Sequence, residues 1–331
     1  MTKRALLAGG LAGLVLGALL KPRPWTFQNK VVLITGGSRG LGLLLARQLA
    51  AEGAQLALVA RNADTLARAA AELRRGGTKV LTLPADVGDR AQMEAAVDTT
   101  VRHYGRLDVL INNAGVIQVG PEADTSLDDY ETALRTHFWG PLYAMRAAAP
   151  HFKRQGGGRI VNIASIGGKV AVPHLVPYSA SKFALVGLSD GLRAEFAKDN
   201  IRVTTVCPWL VRTGSYRNVD VKGQHERELA WFAVADSLPL LSMRGESAAR
   251  RILEACRRGQ PRLIPSPLGK AATAADALFP HVTAALMATA NKFLPDAAKD
   301  SRTKKGFDLS PLVPPWATRL SDDAAARNNE L

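Results

Sequence analysis

From Lys30 onward, short apolar runs alternate with longer stretches of helical period. Val31 to Ile34, Leu56 to Ala60, Val80 to Leu83, Leu107 to Ile111, Arg159 to Ala164 and Ile201 to Cys207 read as buried strands, with Arg262 to Ile264 as a last one. Between them, Leu41 to Ala51, Ala63 to Arg75, Ala91 to Tyr104, Tyr178 to Lys198 and Glu246 to Arg258 read as helices. A long helical pattern over Ser126 to Arg154 is expected to bend near Gly140-Pro141. Near-continuous apolar strands alternating with helices predict a parallel sheet covered on both faces. The fold class is therefore α/β, a doubly wound parallel sheet of Rossmann type over residues 30–266. Ligands of such sheets sit beyond the carboxyl ends of the strands.

The alternation stops after Ser266. Leu278 to Leu294 is apolar and helical in spacing, with Pro280 near its start. It could cap a cleft, touch a membrane or complete a dimer surface, and burial against the domain is the default. From Asp296 the chain is rich in Pro, Ser, Asp and Lys and reads as extended or loosely ordered. Residues 267–331 are thus expected to be a helical extension with a loose tail. No internal repeat is present.

The first 24 residues differ from the rest. Ala5 to Leu20 is an unbroken run of Ala, Leu, Gly and Val between Lys3-Arg4 and Lys21. As a helix it would reach about 24 Å, short of a ~30 Å hydrocarbon core, and flanking basic side chains could snorkel. Gly9, Gly13 and Gly17 share one face, which permits close helix contact. A membrane anchor is favoured over a cleaved signal peptide, for which no small-x-small site precedes Lys21, and over a buried extension. Basic flanks on both sides leave its orientation open.

Composition adds limits. The 331 residues are 47% apolar and 22% charged, which excludes a wholly disordered chain. Net charge is +14, but the basic residues are scattered and form no array with aromatics, so nucleic acid is not an expected partner. Cys207 and Cys256 have no metal-ligand spacing and read as two reduced thiols; no metal is expected.

Two motifs carry chemistry. Directly after the first strand stands Thr35-Gly36-Gly37-Ser38-Arg39-Gly40-Leu41-Gly42. Its glycines let the backbone approach a pyrophosphate at the free N–H groups of a helix start. Tyr178 and Lys182 lie four residues apart, so their side chains share a helix face. A phenol beside an ammonium can serve as an acid or base for an alcohol.

With these motifs the chain resembles the short-chain dehydrogenases/reductases. Further matches are Asp86-Val87 after the third strand, Asn112-Asn113-Ala114-Gly115 after the fourth and Ser165 after the fifth. Pro208 ends the sixth, with Thr213 five residues on. The resemblance implies hydride exchange between a nicotinamide and a carbonyl or secondary alcohol. Tyr178 would be the general acid or base, and Lys182 would lower its pKa and hold the nicotinamide ribose. Ser165 would polarise the carbonyl. The cofactor would lie along Thr35, Gly36, Ser38, Arg39, Gly40, Leu41 and Gly42, against Asp86, Val87, Asn113, Ala114 and Gly115, and reach Pro208 and Thr213. The family also implies a homodimer or homotetramer.

Cofactor choice follows from charge. NAD-preferring enzymes usually place a carboxylate after the second strand, whereas this chain has Arg61 there and Arg39 in the glycine turn. Two guanidinium groups suit a 2′-phosphate, so NADP(H) is expected. A catalytic domain using it would face the cytoplasm from a membrane, the alternative being a soluble cytoplasmic protein. Two departures stand out. His137 takes the place where the family often has an active-site Asn, and could lend its backbone carbonyl, relay protons through its ring, or only pack. Trp209 replaces a common Gly after Pro208.

Expected substrate-facing residues are Ile166, Val170, Val172, Pro173, His174, Leu175, Trp209, Leu210, Val211, Tyr216, Trp231 and Phe232. They suit a hydrophobic ketone, aldehyde or secondary alcohol of lipid or steroid kind. The alternative function is a catalytically idle NADPH-binding redox sensor or scaffold at a membrane.

Overall fold

The computed structural model describes residues 25–239 and 242–331. Strand and helix alternate as the apolar pattern requires. In chain order they are β1 (Val31–Thr35), α1 (Gly40–Ala51), β2 (Gln55–Ala60), α2 (Ala63–Arg75), β3 (Val80–Pro84), α3 (Arg90–Tyr104) and β4 (Val109–Asn112). There follow α4 (Leu127–Leu134), α5 (Gly140–Arg154), β5 (Gly158–Ile163), α6 (Val176–Phe196) and β6 (Ile201–Val206). The last group is α7 (His225–Ser237), α8 (Gly245–Arg258), β7 (Arg262–Leu263), α9 (Pro267–Leu278), α10 (Pro280–Asn291) and α11 (Pro315–Arg327).

The seven strands form one parallel sheet in the order β7-β6-β5-β4-β1-β2-β3. Every residue of β1 and β4 is buried, because helices cover both faces. Leu43, Leu45 and Leu49 of α1 pack with Leu66 of α2 and Ile252 of α8 on one face. Met93 of α3 packs with Met145 and Phe152 of α5 on the other. Helix starts are fixed by side chains: Asn62 accepts from Thr65 N at 2.8 Å, and Asp89 from Gln92 N at 3.0 Å. After β3 the chain returns to the middle of the sheet to form β4 beside β1, so the strand order reverses between β1 and β4. A crevice opens at that point beyond the strand ends.

The long helical pattern over 126–154 is interrupted. A π-helical turn, Arg135–Trp139, joins α4 to α5 just before Gly140-Pro141, and its extra residue resets the face each helix presents. The apolar stretch after Ser266 also divides: α9 ends at Leu278, and α10 begins at Pro280, whose ring cannot continue a helix. Nor is the region beyond Asp296 loose throughout. It contains α11, and Ala324, Ala325 and Asn328 are buried against the domain.

The expected membrane anchor is corrected. Among the described residues no helix is long and apolar enough to cross a membrane, and the first helix begins at Gly40. Residues 1–24, where the N-terminal hydrophobic helix was placed, lie outside the described residues. The partnership with a membrane and the membrane-associated localisation rested on that helix alone and fall with it.

Candidate active site

The crevice is the mouth of a cavity of about 1030 Å³. It runs from Arg61 and Asn62 past the glycine turn to Ser165, Tyr178 and Lys182. Its size and shape suit a dinucleotide with a small substrate beside it.

At the outer half, Gly36 and Gly40 take left-handed φ of +65° and +54°, and Gly40 opens α1. A Cβ on Gly42 would strike the carbonyl oxygen of Gly36, so only glycine lets the turn fold back on itself here. Thr35 does not line the cavity. Its Oγ1 instead accepts from the N–H groups of Asn113 and Ala114, at 3.0 and 3.1 Å. The Asn113 amide donates back to Thr35 O and Gly36 O, at 3.1 and 3.2 Å. Ser38, Leu41, Asp86, Val87, Ala114, Gly115, Pro208 and Thr213 all line the cavity. Arg61 lines it as well, and among the described residues it makes no hydrogen bond or ion pair. Arg39 lines the cavity too. Its guanidinium reaches across the cleft to Asn218 and, at 3.5 Å, to Glu330.

At the inner half, Ser165 ends the turn after β5, and its Oγ accepts from Gly167 N at 3.0 Å. Gly167 lies between Ser165 Oγ and the Tyr178 ring, so a Cβ there would come within 3.5 Å and 3.2 Å of them. One turn along α6, Lys182 is buried and its Nζ donates to Ile163 O at 2.9 Å. The ammonium stands 5.6 Å from the centre of the Tyr178 ring. Burial lowers the Lys182 pKa to about 7. Burial also pushes the Tyr178 phenol up, with the Ser165 hydroxyl pulling the other way.

His137 sits in the π-helical turn, fully buried, edge-on to Tyr178 with centroids 5.5 Å apart. Val116 N–H donates to its Nε2 at 3.1 Å. The ring proton is thereby assigned to Nδ1, which donates to Ser181 Oγ at 2.8 Å. Ser181 Oγ in turn donates to Tyr178 O. Burial and the nearby Lys182 charge hold the imidazole pKa well below its usual value. Both ring nitrogens are occupied by fixed partners, which leaves no nitrogen for direct proton relay.

The substrate end is apolar. Ile166, Val170, Val172, Leu175, Trp209, Leu210, Val211, Trp231 and Phe232 line it as expected, but Pro173, His174 and Tyr216 do not. His174 Nδ1 faces both oxygens of buried Glu228, at 2.9 Å, and Glu228 also accepts from Trp231 Nε1 at 2.8 Å. Tyr216 donates to Asp322. Leu286 and Met287 from α10, and Ala272 and Ala275 of α9, also line the cavity. Sequence reasoning also missed Asn218, Asp236 and Glu330, which line the cavity from segments without a recognisable motif.

The short chain dehydrogenase family profile matches residues 30–222, more than half of the chain. The chain therefore belongs to the short-chain dehydrogenase family and is a nicotinamide-dependent oxidoreductase. It is 41% identical over 192 residues to 11-beta-hydroxysteroid dehydrogenase-like 3 of Arabidopsis thaliana, an alignment that covers 56% of this chain and 62% of that protein. Among solved structures it is similar to L-sorbose reductase from Gluconobacter frateurii, complexed with NADPH and L-sorbose. There the TM-score is 0.65 at 28% identity, over 73% of this chain and 96% of that one. It is also similar to a short chain dehydrogenase/reductase from Burkholderia phymatum in complex with NAD. The TM-score is 0.70 at 25% identity, over 78% and 96% of the two chains.

Asp236, buried where α7 meets α11, accepts from Ser321 at 3.3 Å, and burial raises its pKa to about 7. Arg212 pulls that value down. A carboxyl whose folded pKa lies above its unfolded one stabilises the fold at acid pH, and loses that contribution as pH rises through the folded value. The difference in urea midpoint between Asp236→Asn and wild type should therefore shift in the variant's favour from about pH 5 to about pH 8. A difference independent of pH would contradict the assignment.

Proposed function

We propose that the protein is an NADP(H)-dependent reductase of apolar ketones or aldehydes, with Tyr178 as its general acid. The observation that carries the reading is the single cavity joining Arg61 and the glycine turn to Ser165, Tyr178 and Lys182. The glycine turn, with no room for a Cβ at Gly42, fits the backbone approach a pyrophosphate needs. When bound, the nicotinamide supplies a hydride to the substrate's carbonyl carbon.

The residues of the chain do the rest. The Ser165 hydroxyl holds the carbonyl oxygen and stabilises charge as it develops. The Tyr178 Oη–H gives that oxygen its proton as the alcohol forms. A phenol pushed up by burial stays protonated at neutral pH, which suits the reducing direction. Lys182 gives the Tyr178 end of the cleft a donor for the nicotinamide ribose. His137 is a positioning residue: its two hydrogen bonds tie the Gly115-Val116 turn to Ser181 and so to the backbone of Tyr178.

The 2′-phosphate preference rests on Arg61 and on the lack of a carboxylate at the end of β2. The apolar substrate class rests on Val172, Leu175, Trp231, Phe232 and Leu286 around the inner cavity. Relatives whose names mention a sugar and a steroid do not choose between those classes, and the apolar lining supports the second.

Tyr178→Phe should lower the rate of carbonyl reduction by about 10²–10⁴-fold while NADPH binding persists. A variant reducing substrate at the wild-type rate would overturn the role of Tyr178. Arg61→Ala should lower kcat/KM for NADPH by about tenfold and leave that for NADH nearly unchanged. Equal losses with both cofactors would exclude a 2′-phosphate contact.

A further inference from the structure

One feature of the cleft does not fit an empty phosphate site. Residues 328–330 run along its outer edge, from the start of α2 to the glycine turn. The Asn329 amide donates to Ser38 O at 2.8 Å and to Thr65 O at 3.1 Å, while Arg68 Nε donates to Asn329 Oδ1 at 2.9 Å. Asn328 O accepts from Gly40 N at 2.9 Å, taking the N–H at the threshold of α1. Arg47 fixes the same residue from below, with NH1 donating to Asn328 Oδ1 at 3.1 Å. The Asn328 amide reaches Thr213 O at 3.4 Å.

Glu330 completes the path. Its carboxylate stands over Gly40, in the space a Cβ there would enter, and is buried. Asn218 Nδ2 donates to Glu330 Oε2 at 2.6 Å, and Arg39 Nε lies 3.5 Å from the same oxygen. The chain thus supplies its own anion at the helix N-terminus, and occupies the cation that sequence reasoning assigned to the cofactor. Burial and the neighbouring Asp236 push the Glu330 pKa up to about 7, against the pull of Arg39. The carboxyl is therefore fully charged only above neutral pH.

We propose that residues 328–330 form a strap that competes with the cofactor's phosphates for the glycine turn, with Glu330 as the competing anion. This rests on the nicotinamide-dinucleotide reading of the cleft. Two anions cannot share one helix N-terminus and one guanidinium without strong repulsion. Binding of NADPH then requires Glu330 to swing out and Arg39 to exchange its carboxylate for phosphate. The strap is a built-in brake on cofactor affinity, released by anything that draws 328–330 away from Ser38, Thr65 and Gly40.

The test is the Kd for NADPH, followed by fluorescence, in the full chain and in two variants. Glu330→Gln removes the charge and keeps the shape, and deletion of residues 328–331 removes the strap. Both should bind NADPH about three- to tenfold more tightly, with a faster association rate. Thermal melting checks that each is folded, and Glu330→Gln decides the matter if the deletion is not. Unchanged or weaker binding by Glu330→Gln would overturn the competing role, the weaker result marking 328–330 as a clamp on bound cofactor. If neither wild type nor Glu330→Gln bound any nicotinamide dinucleotide, the reading of the cleft itself would fail, and the strap with it.

Discussion

The Thr35 hydroxyl and the Asn113 amide lock the carboxyl ends of β1 and β4 together, and the rest of the site is built outward from that joint. Thr35 stands opposite Asn112 in the sheet, at the point where the strand order reverses. Helices leaving β1 and β4 pass to opposite faces there, so the backbone between them cannot close by regular pairing. Side-chain hydrogen bonds close it instead, and the crevice that remains is the cofactor cleft. A second joint continues the line: the Asn112 amide donates to Asn162 Oδ1 at 2.8 Å, and that of Asn162 to Ser189 Oγ at 2.9 Å. Through it, β4, β5 and α6 hold a fixed relation, and with them Ser165 and Tyr178.

Electrostatics at the inner end follow from that burial. Lys182 is buried and gives its hydrogen bond to the Ile163 carbonyl, and that burial makes its pKa fall. The phenol of Tyr178 is pushed the other way, toward the protonated state. Both groups move toward neutrality, as desolvation demands. At the outer end the sign is reversed: Arg39 and the α1 N-terminus attract anions, and the chain's own Glu330 answers first.

Much of this was legible in the sequence, for a physical reason. Buried parallel strands are written as unbroken apolar runs, and a backbone turn around a phosphate needs glycine at fixed offsets. Tyr178 and Lys182 share a helix face by spacing alone. What the sequence hid depends on long-range return. Nothing in Asn328-Asn329-Glu330 marks it as part of the cleft, because it reaches Ser38 and Gly40 only after α11 packs on α7. Arg39 and Arg61 both line the cavity as their place after β1 and β2 suggests, but nothing local marks the contacts of Arg39 with Asn218 and Glu330. His137 could be read as a relay only until the Val116 N–H was seen to occupy its Nε2.

The most direct test of the whole account is a crystal structure of the protein with NADP⁺ bound. The account predicts phosphates against Gly36, Gly40 and Leu41, the 2′-phosphate beside Arg61, and the nicotinamide between Tyr178 and Ser165. It also predicts that the Glu330 carboxylate has left Gly40. A dinucleotide bound elsewhere, or one turned with its nicotinamide toward Arg61, would contradict it.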